Sequence, residues 1–246
     1  MKPNLNQRLS NEKEHAKYLL RNGAEKVWGW ESPAGKVRAS RRIKFFLEKG
    51  SLDKNKKILE IGCGTGIFTK GLSKNSLNIT AIDISFDLIN YSKNKIKDSN
   101  VTFEVQDAMN TNYDKESFNV VLGCSVLHHL DVDLALKEFL RILKPGGRLI
   151  FSEPNMLNPQ IVLQKNISFL KKLAGDSPDE IAFVSWKIAK KLRSFGFNNV
   201  KIVPFDFLHP IIPKVLIKPV SFCGNLLEKI PVLKNLAGSL LIYAEK

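Results

Sequence analysis

Between Lys56 and Pro154 the chain repeats one pattern. A short, continuously apolar run is followed by a turn, then by a segment with apolar residues every three or four positions. "KKILEIG" is such a run and "TGIFTKGLSKN" its helix-spaced successor; "NITAIDIS" and "FDLINYSKNKIKD" repeat the pair. "VTFEVQDA" is a third strand. "FNVVLGCS" is a fourth, followed by the helix "DVDLALKEFLRILK", which Pro145-Gly146-Gly147 is expected to stop. "GRLIFSEP" is a fifth. Runs that are apolar on both faces belong to strands covered on both faces. The alternation therefore predicts βαβ units in a largely parallel sheet.

The flanks read differently. Residues 11–27 have helical spacing, "WGWESPAGKVRASRR" is a turn-rich connection, and a basic helix ends near Gly50. After Pro154 an apolar and basic insertion covers about residues 155–180, before the helix "SWKIAKKLRSFGF" and the strand "NVKIVPFDFL". A second insertion, about residues 209–236, precedes the last strand, "SLLIYAEK". The expected fold is α/β, a doubly wound, Rossmann-like sheet of seven strands. A helical segment over residues 1–50 precedes a main domain over 51–246, which carries the two insertions.

Charge adds a second layer. The net charge is +14, and it divides as +7 over residues 1–50, zero over 51–154, +4 over 155–208 and +3 over 209–246. The alternating unit is neutral and all of the excess lies in the flanks. Those parts are expected to meet something anionic: a phosphorylated substrate, an anionic membrane face or nucleic acid. No apolar stretch is long enough to cross a membrane as a helix, and the first twenty residues lack the apolar segment of a secretory signal. The expected location is the cytoplasm, with peripheral membrane contact left open. Cys63, Cys124 and Cys223 are far apart and match no metal spacing, so no metal is expected.

The chemistry starts at the first strand. Gly62-Cys63-Gly64-Thr65-Gly66 is G-x-G-x-G, one residue short of the dinucleotide spacing G-x-G-x-x-G, and no Gly-Lys-Ser/Thr of a P-loop follows. Such a loop turns a strand sharply into a helix while the backbone approaches a ligand. Asp83 ends the second strand, where the cleft of this topology opens, and its carboxylate can accept hydrogen bonds from both hydroxyls of a ribose. Asp107 ends the third strand and can meet the exocyclic amine of an adenine.

Taken together, "LEIGCGTG", Asp83, "QDAM", "CSVLHHL" and "LKPGGRLIFSEP" resemble the successive motifs of class I S-adenosylmethionine-dependent methyltransferases, over about residues 50–208. The resemblance implies a seven-stranded mixed sheet whose last strand is antiparallel. It implies S-adenosyl-L-methionine as cofactor and S-adenosyl-L-homocysteine as product. It implies that Glu60, Gly62, Cys63, Gly64 and Gly66 surround the methionine part, and that Asp83 holds the ribose. Ile84 would pack on the adenine, Asp107 and Ala108 would meet its amine edge, and Cys124 and Ser125 would line the sulfonium end.

A base is needed when the accepting atom carries a tightly held proton. His128, His129, Glu153 and His209 are the candidates, and of the adjacent histidines at most one is expected to face the cleft. The resemblance also implies that residues 1–50 close over the cofactor as a helical lid, which makes Trp28 and Trp30 candidate lid residues over the sulfonium. Arg38 and Arg42, four apart on one helix face, form a candidate clamp for a phosphate or carboxylate. The insertions suit either a cap over an apolar acceptor or a basic surface resting on an anionic membrane. The expected activity is methyl transfer to a small amphiphilic or anionic acceptor, with a lipid or glycan carrier among the options. A nucleic-acid methyltransferase is the alternative, although no Asn/Asp-Pro-Pro-Tyr/Phe follows the fourth strand and no RNA-binding module is visible. A nicotinamide-dependent oxidoreductase and a non-catalytic scaffold are the other classes. The sequence leaves the oligomeric state open.

Overall fold

A computed structural model describes residues 5–167 and 182–246. Strands β1 (Lys57–Ile61), β2 (Asn78–Asp83), β3 (Val101–Val105), β4 (Phe118–Cys124), β5 (Leu143–Pro154), β6 (Asn198–Phe205) and β7 (Ser239–Glu245) form one sheet. Its order is β3-β2-β1-β4-β5-β7-β6. β7 runs antiparallel between β5 and β6, and the other neighbours are parallel. The expected mixed sheet is therefore observed, and the chain reverses its direction of winding between β1 and β4, where this topology leaves a crevice.

The apolar runs divide between two cores. Leu59 and Ile61 of β1, Val121 of β4, and Leu149 and Phe151 of β5 point into one cluster. Ile58, Val120, Leu122 and Ile150, the residues in between, point into the other. Successive side chains of a strand alternate faces, so a sheet covered on both sides needs apolar residues at every position. Helix α6 (Val132–Ile142) seals the first face with Ala135, Leu136, Phe139 and Ile142, all fully buried. The ring of Phe139 stacks on Phe151 at 5.5 Å. Its start is fixed by Asp131, whose carboxylate accepts from the amides of Asp133 and Leu134.

Three boundaries differ from expectation. The helix read over residues 11–27 is two, α1 (Leu5–Asn22) and α2 (Ala24–Val27), separated at Gly23. Helix α3 (Pro33–Gly50) starts inside the segment read as a connection, because Ser32 Oγ accepts from the Gly35 amide at 2.9 Å and proline suits the first helical position. Helix α6 ends before Pro145: Leu143 already pairs with Phe118 of β4 and is fully buried, so Pro145-Gly146-Gly147 forms an irregularity within β5 rather than a helix stop.

Helices α4 (Ile67–Ser73) and α5 (Phe86–Lys95) follow β1 and β2. Helix α8 (Ser185–Ser194) precedes β6. The first insertion contributes α7 (Pro159–Asn166); its remaining residues, 168–181, lie outside the described part. The second insertion folds as a 3₁₀ turn, helix α9 (Ile217–Leu227) and another 3₁₀ turn.

Candidate active site

The carboxyl ends of β1, β2, β3 and β4 open into a cavity of about 530 Å³, within the range of small-molecule sites. One half of its wall is the glycine loop with Asp83, Ile84, Asp107 and Ala108; Cys124 and Ser125 follow from β4. The other half comes from the flanks: Trp28, Trp30 and Arg38 from the N-terminal segment, Ile161 from α7, and Phe207 to Pro210 after β6.

The loop is built for close approach. Gly62 has φ of +64°, and a Cβ there would lie 2.3 Å from Val126 Cγ2. Gly64 has φ of +54°, and a Cβ would lie 3.1 Å from the Trp28 ring. Backbone conformation disfavours a side chain at both positions, and at Gly62 space excludes one as well. Asp83 ties the loop to β2: Oδ2 accepts from the Gly64 amide and Oδ1 from the Ser85 amide, each at 3.0 Å. Burial raises the Asp83 carboxyl above its ordinary value, and the two amides work against that. Asp107 Oδ1 accepts from the Met109 amide at 2.9 Å, which holds Ala108 at the cavity wall.

Glu60 does not line the cavity. It shares the face of Ile58, beneath α4, and is 2 % exposed. Its Oε2 has no hydrogen-bond partner. Burial pushes the carboxyl up to about 7, relieved in part by Thr69. The folded chain thus binds this proton more tightly than the unfolded chain does, so stability falls as the pH rises from 4.5 through about 7 and then levels. Glu60→Gln should be more stable than the wild type at pH 8 by about 3 kcal/mol, with the difference gone at pH 4. Urea midpoints at the two pH values measure this.

The two histidines both reach the cavity, contrary to the expectation that at most one would. They sit on a 3₁₀ turn, Leu127–His129, and their rings lie 4.3 Å apart at 36°. His129 Nδ1 pairs with Glu12 Oε1 at 3.1 Å. His128 is buried, and its Nδ1 lies 2.6 Å from Glu153 Oε2. Glu153 does not face the cavity as expected. It is 1 % exposed, and its Oε1 accepts from the amides of Val126 and Leu127 at 3.1 and 2.9 Å. Glu153 is a carboxylate that fixes the His128 turn.

His209 also lines the cavity. Its Nδ1 accepts from the Ile211 amide at 3.2 Å, which places the proton on Nε2. Burial, and then Arg38, lower its pKa. His209 is a neutral donor here, not a base. Burial pushes the Cys124 thiol up to about 11 and Cys63 well above its ordinary value, so both remain thiols at neutral pH.

Trp28 lies over Gly64, and Glu25 accepts from Thr65 Oγ1 at 3.1 Å, so the N-terminal segment closes on the glycine loop. Trp30 packs edge-on against Phe68 at 5.4 Å and receives the Arg38 guanidinium over its face at 5.3 Å. The arginine clamp already holds a carboxylate of the protein itself. Arg38 Nε and Arg42 Nη1 both donate to Asp206 Oδ2, at 2.8 and 2.7 Å. Arg42, 2 % exposed, also donates to Ser239 Oγ, and both arginines border the cavity. Burial alone would raise the Asp206 carboxyl, but Arg42 and Arg38 outweigh it and hold the group below its ordinary value. Asp206 was not among the sequence candidates. It directly follows β6, so the rule that singled out Asp83 and Asp107 could have found it.

Residues 59–151 match the family model described as "Methyltransferase domain". The chain is 31% identical over 134 residues to a ubiquinone biosynthesis O-methyltransferase of Coxiella burnetii, spanning 51% of this chain and 57% of that protein. It is 31% identical over 171 residues to a demethylmenaquinone methyltransferase of Lactobacillus johnsonii, across 60% of this chain and 70% of that one. The chain belongs to the class I S-adenosylmethionine-dependent methyltransferases. A solved methyltransferase from Archaeoglobus fulgidus shares the fold, with a TM-score of 0.60, 17% identity and coverage of 86% of this chain and 94% of that chain. The chain spans little more than half the length of the Coxiella protein. Family membership removes the nicotinamide alternative, in line with the short glycine spacing.

S-adenosylmethionine, the cofactor of the family, fits the residues present. Gly62 and Gly64 bring bare backbone to the cavity wall, and half-buried Asp83 lies at the same wall with its carboxylate on the Gly64 and Ser85 amides. Asp83 would hold the ribose, Ile84, Asp107 and Ala108 the adenine, and Gly62 to Thr65 the methionine part. Among the described residues no group of His, Cys, Asp and Glu could hold a metal ion.

Proposed function

We propose that this protein transfers a methyl group to a hydroxyl oxygen of a small, partly apolar acceptor, and that His128 is the base. The observation that carries this reading is His128 in the cavity wall, held from behind by Glu153. S-adenosylmethionine supplies a methyl group on a positive sulfonium, open to in-line displacement by a nucleophile. Water exclusion and alignment fall to the protein. A hydroxyl acceptor adds the need to remove a proton. Glu153 accepts two backbone N–H bonds and has only acceptor capacity left, so the His128 proton belongs on Nδ1. Nε2 is then the basic nitrogen. Glu153 is a positioning residue: it selects the tautomer and braces the turn.

The acceptor half of the cavity combines Ile161, Phe207 and Leu208 with Arg38 and the neutral donor His209. That lining supports an acceptor with an apolar body and a polar or anionic group. A cavity of about 530 Å³ favours a small molecule over a nucleic-acid strand. The Coxiella relative, by its name an O-methyltransferase of ubiquinone biosynthesis, is in keeping with an oxygen acceptor.

The test is Glu153→Gln. Its carbonyl can still accept from Val126 and Leu127, but its NH₂ would face His128 Nδ1 and drive the proton to Nε2. The rate constant for methyl transfer should fall on the order of 100-fold, with KM for the methyl donor unchanged. An unchanged rate would remove the base from the account.

A further inference from the structure

The second insertion leaves large apolar side chains in solvent. Ile211 is 80 % exposed, Val215 82 %, Phe222 66 % and Val232 75 %. Leu216, Leu226, Ile230 and Leu236 are each more than 40 % exposed. Such a density of exposed aliphatic and aromatic groups in one short segment marks an interaction surface. Fraying does not account for it, because the segment is pinned from beneath. Arg41 makes a two-pronged ion pair with Glu228, and Glu228 Oε1 also accepts from the Asp206 amide at 2.8 Å. Gly224 packs on Phe207, where a Cβ would lie 3.1 Å from the Phe207 Cβ. The Asn158 side chain donates to the Leu236 carbonyl at 2.7 Å, tying the start of α7 to the same surface.

The charges choose the occupant. Between His209 and Gly238 the ionised residues are Lys214, Lys218, Glu228, Lys229 and Lys234. The single acid is turned inward onto Arg41. Lys214, Lys218 and Lys229 are exposed beside the apolar groups. Along α9, Lys218, Phe222 and Leu226 follow at intervals of four and share one face. A two-fold contact with a second copy would set these lysines against one another. An anionic lipid surface would meet both the apolar side chains and the cations.

We infer that this surface, from Ile211 to Leu236, docks the protein on an anionic bilayer. The segment leaves the cavity wall directly: Phe207 to Pro210 line the cavity, and Ile211 is the next residue. Docking there sets the acceptor end of the cavity at the lipid boundary, within reach of an amphiphile that stays partly in the membrane.

The test is co-sedimentation of the full chain with vesicles of phosphatidylglycerol and phosphatidylcholine, and with phosphatidylcholine alone. The protein should pellet with the anionic vesicles and stay in solution with the neutral ones. Val215→Asp/Phe222→Asp, at positions outside the catalytic and cofactor-binding residues, should abolish pelleting and leave the melting temperature unchanged. Lys214→Gln/Lys218→Gln should weaken partitioning about 25-fold, on the basis of roughly fivefold for each lysine near an anionic surface. No pelleting with anionic vesicles would overturn the inference. So would aspartate substitutions that bind as the wild type does. A concentration-dependent dimer that Phe222→Asp dissociates, with no vesicle binding, would assign the surface to a second copy instead. None of these outcomes depends on methyl transfer, so failure here leaves the catalytic reading intact.

Discussion

Asp83→Ala should weaken S-adenosylhomocysteine binding by about 100- to 1000-fold. A charge-assisted hydrogen bond is worth on the order of 1.5–3 kcal/mol, and the carboxylate at the end of β2 is placed to accept one from each ribose hydroxyl. Part of the loss has a second origin. Asp83 also accepts from the Gly64 and Ser85 amides, and its removal frees the loop it braces. Asp83→Asn separates the two effects. It retains a carbonyl for one amide but loses the charge, and should fall between wild type and alanine. Folding should suffer less than binding, because burial already disfavours the ionised group. Calorimetric titration gives the affinities and thermal melting the stability. Equal affinity in Asp83→Ala and wild type would remove Asp83 from the cofactor site.

His128→Gln should lower the rate constant for methyl transfer by 100-fold or more, the usual contribution of a positioned base to a hydroxyl nucleophile. Glutamine retains a donor for Glu153 and most of the ring's volume, so the turn that carries it should persist. Affinity for S-adenosylhomocysteine should remain within about threefold of wild type, since that ligand has no proton to surrender. The contrast with Asp83→Ala is the informative part: one variant loses binding and retains the machinery, the other binds and transfers slowly. If His128→Gln lost affinity and rate together, His128 would be a wall of the cavity and not a base.

Sequence pattern carried the architecture because the parallel strands are buried on both faces. Ile58 and Leu59 belong to different cores, yet both must be apolar. The resulting run is hard to mistake when turns bound it. The cavity residues at the strand ends were legible for a related reason: backbone geometry there restricts which residues can stand, so Gly62, Gly64 and Asp83 announce themselves locally. The acceptor side was less legible because its partners are remote in sequence. Arg42 and Asp206 are 164 positions apart, and nothing near either foretells their ion pair. Glu153 and His128 are 25 apart and meet only because β5 lies beside β4. The adjacent histidines were misjudged because neighbours on a 3₁₀ turn, though they point in different directions, can both border one cavity. The exposed apolar surface was visible as composition, but only exposure distinguishes a cap that is buried from one that faces outward.

The most direct test of the account is the fate of the methyl group. The protein would be incubated with S-adenosylmethionine carrying a ¹³C-labelled methyl and a series of hydroxylated aromatic acceptors of graded apolarity and charge. The account predicts label on oxygen, with turnover rising with apolar bulk and falling when His128→Gln replaces the wild type. Label found only on nitrogen or carbon, or turnover indifferent to His128, would contradict it.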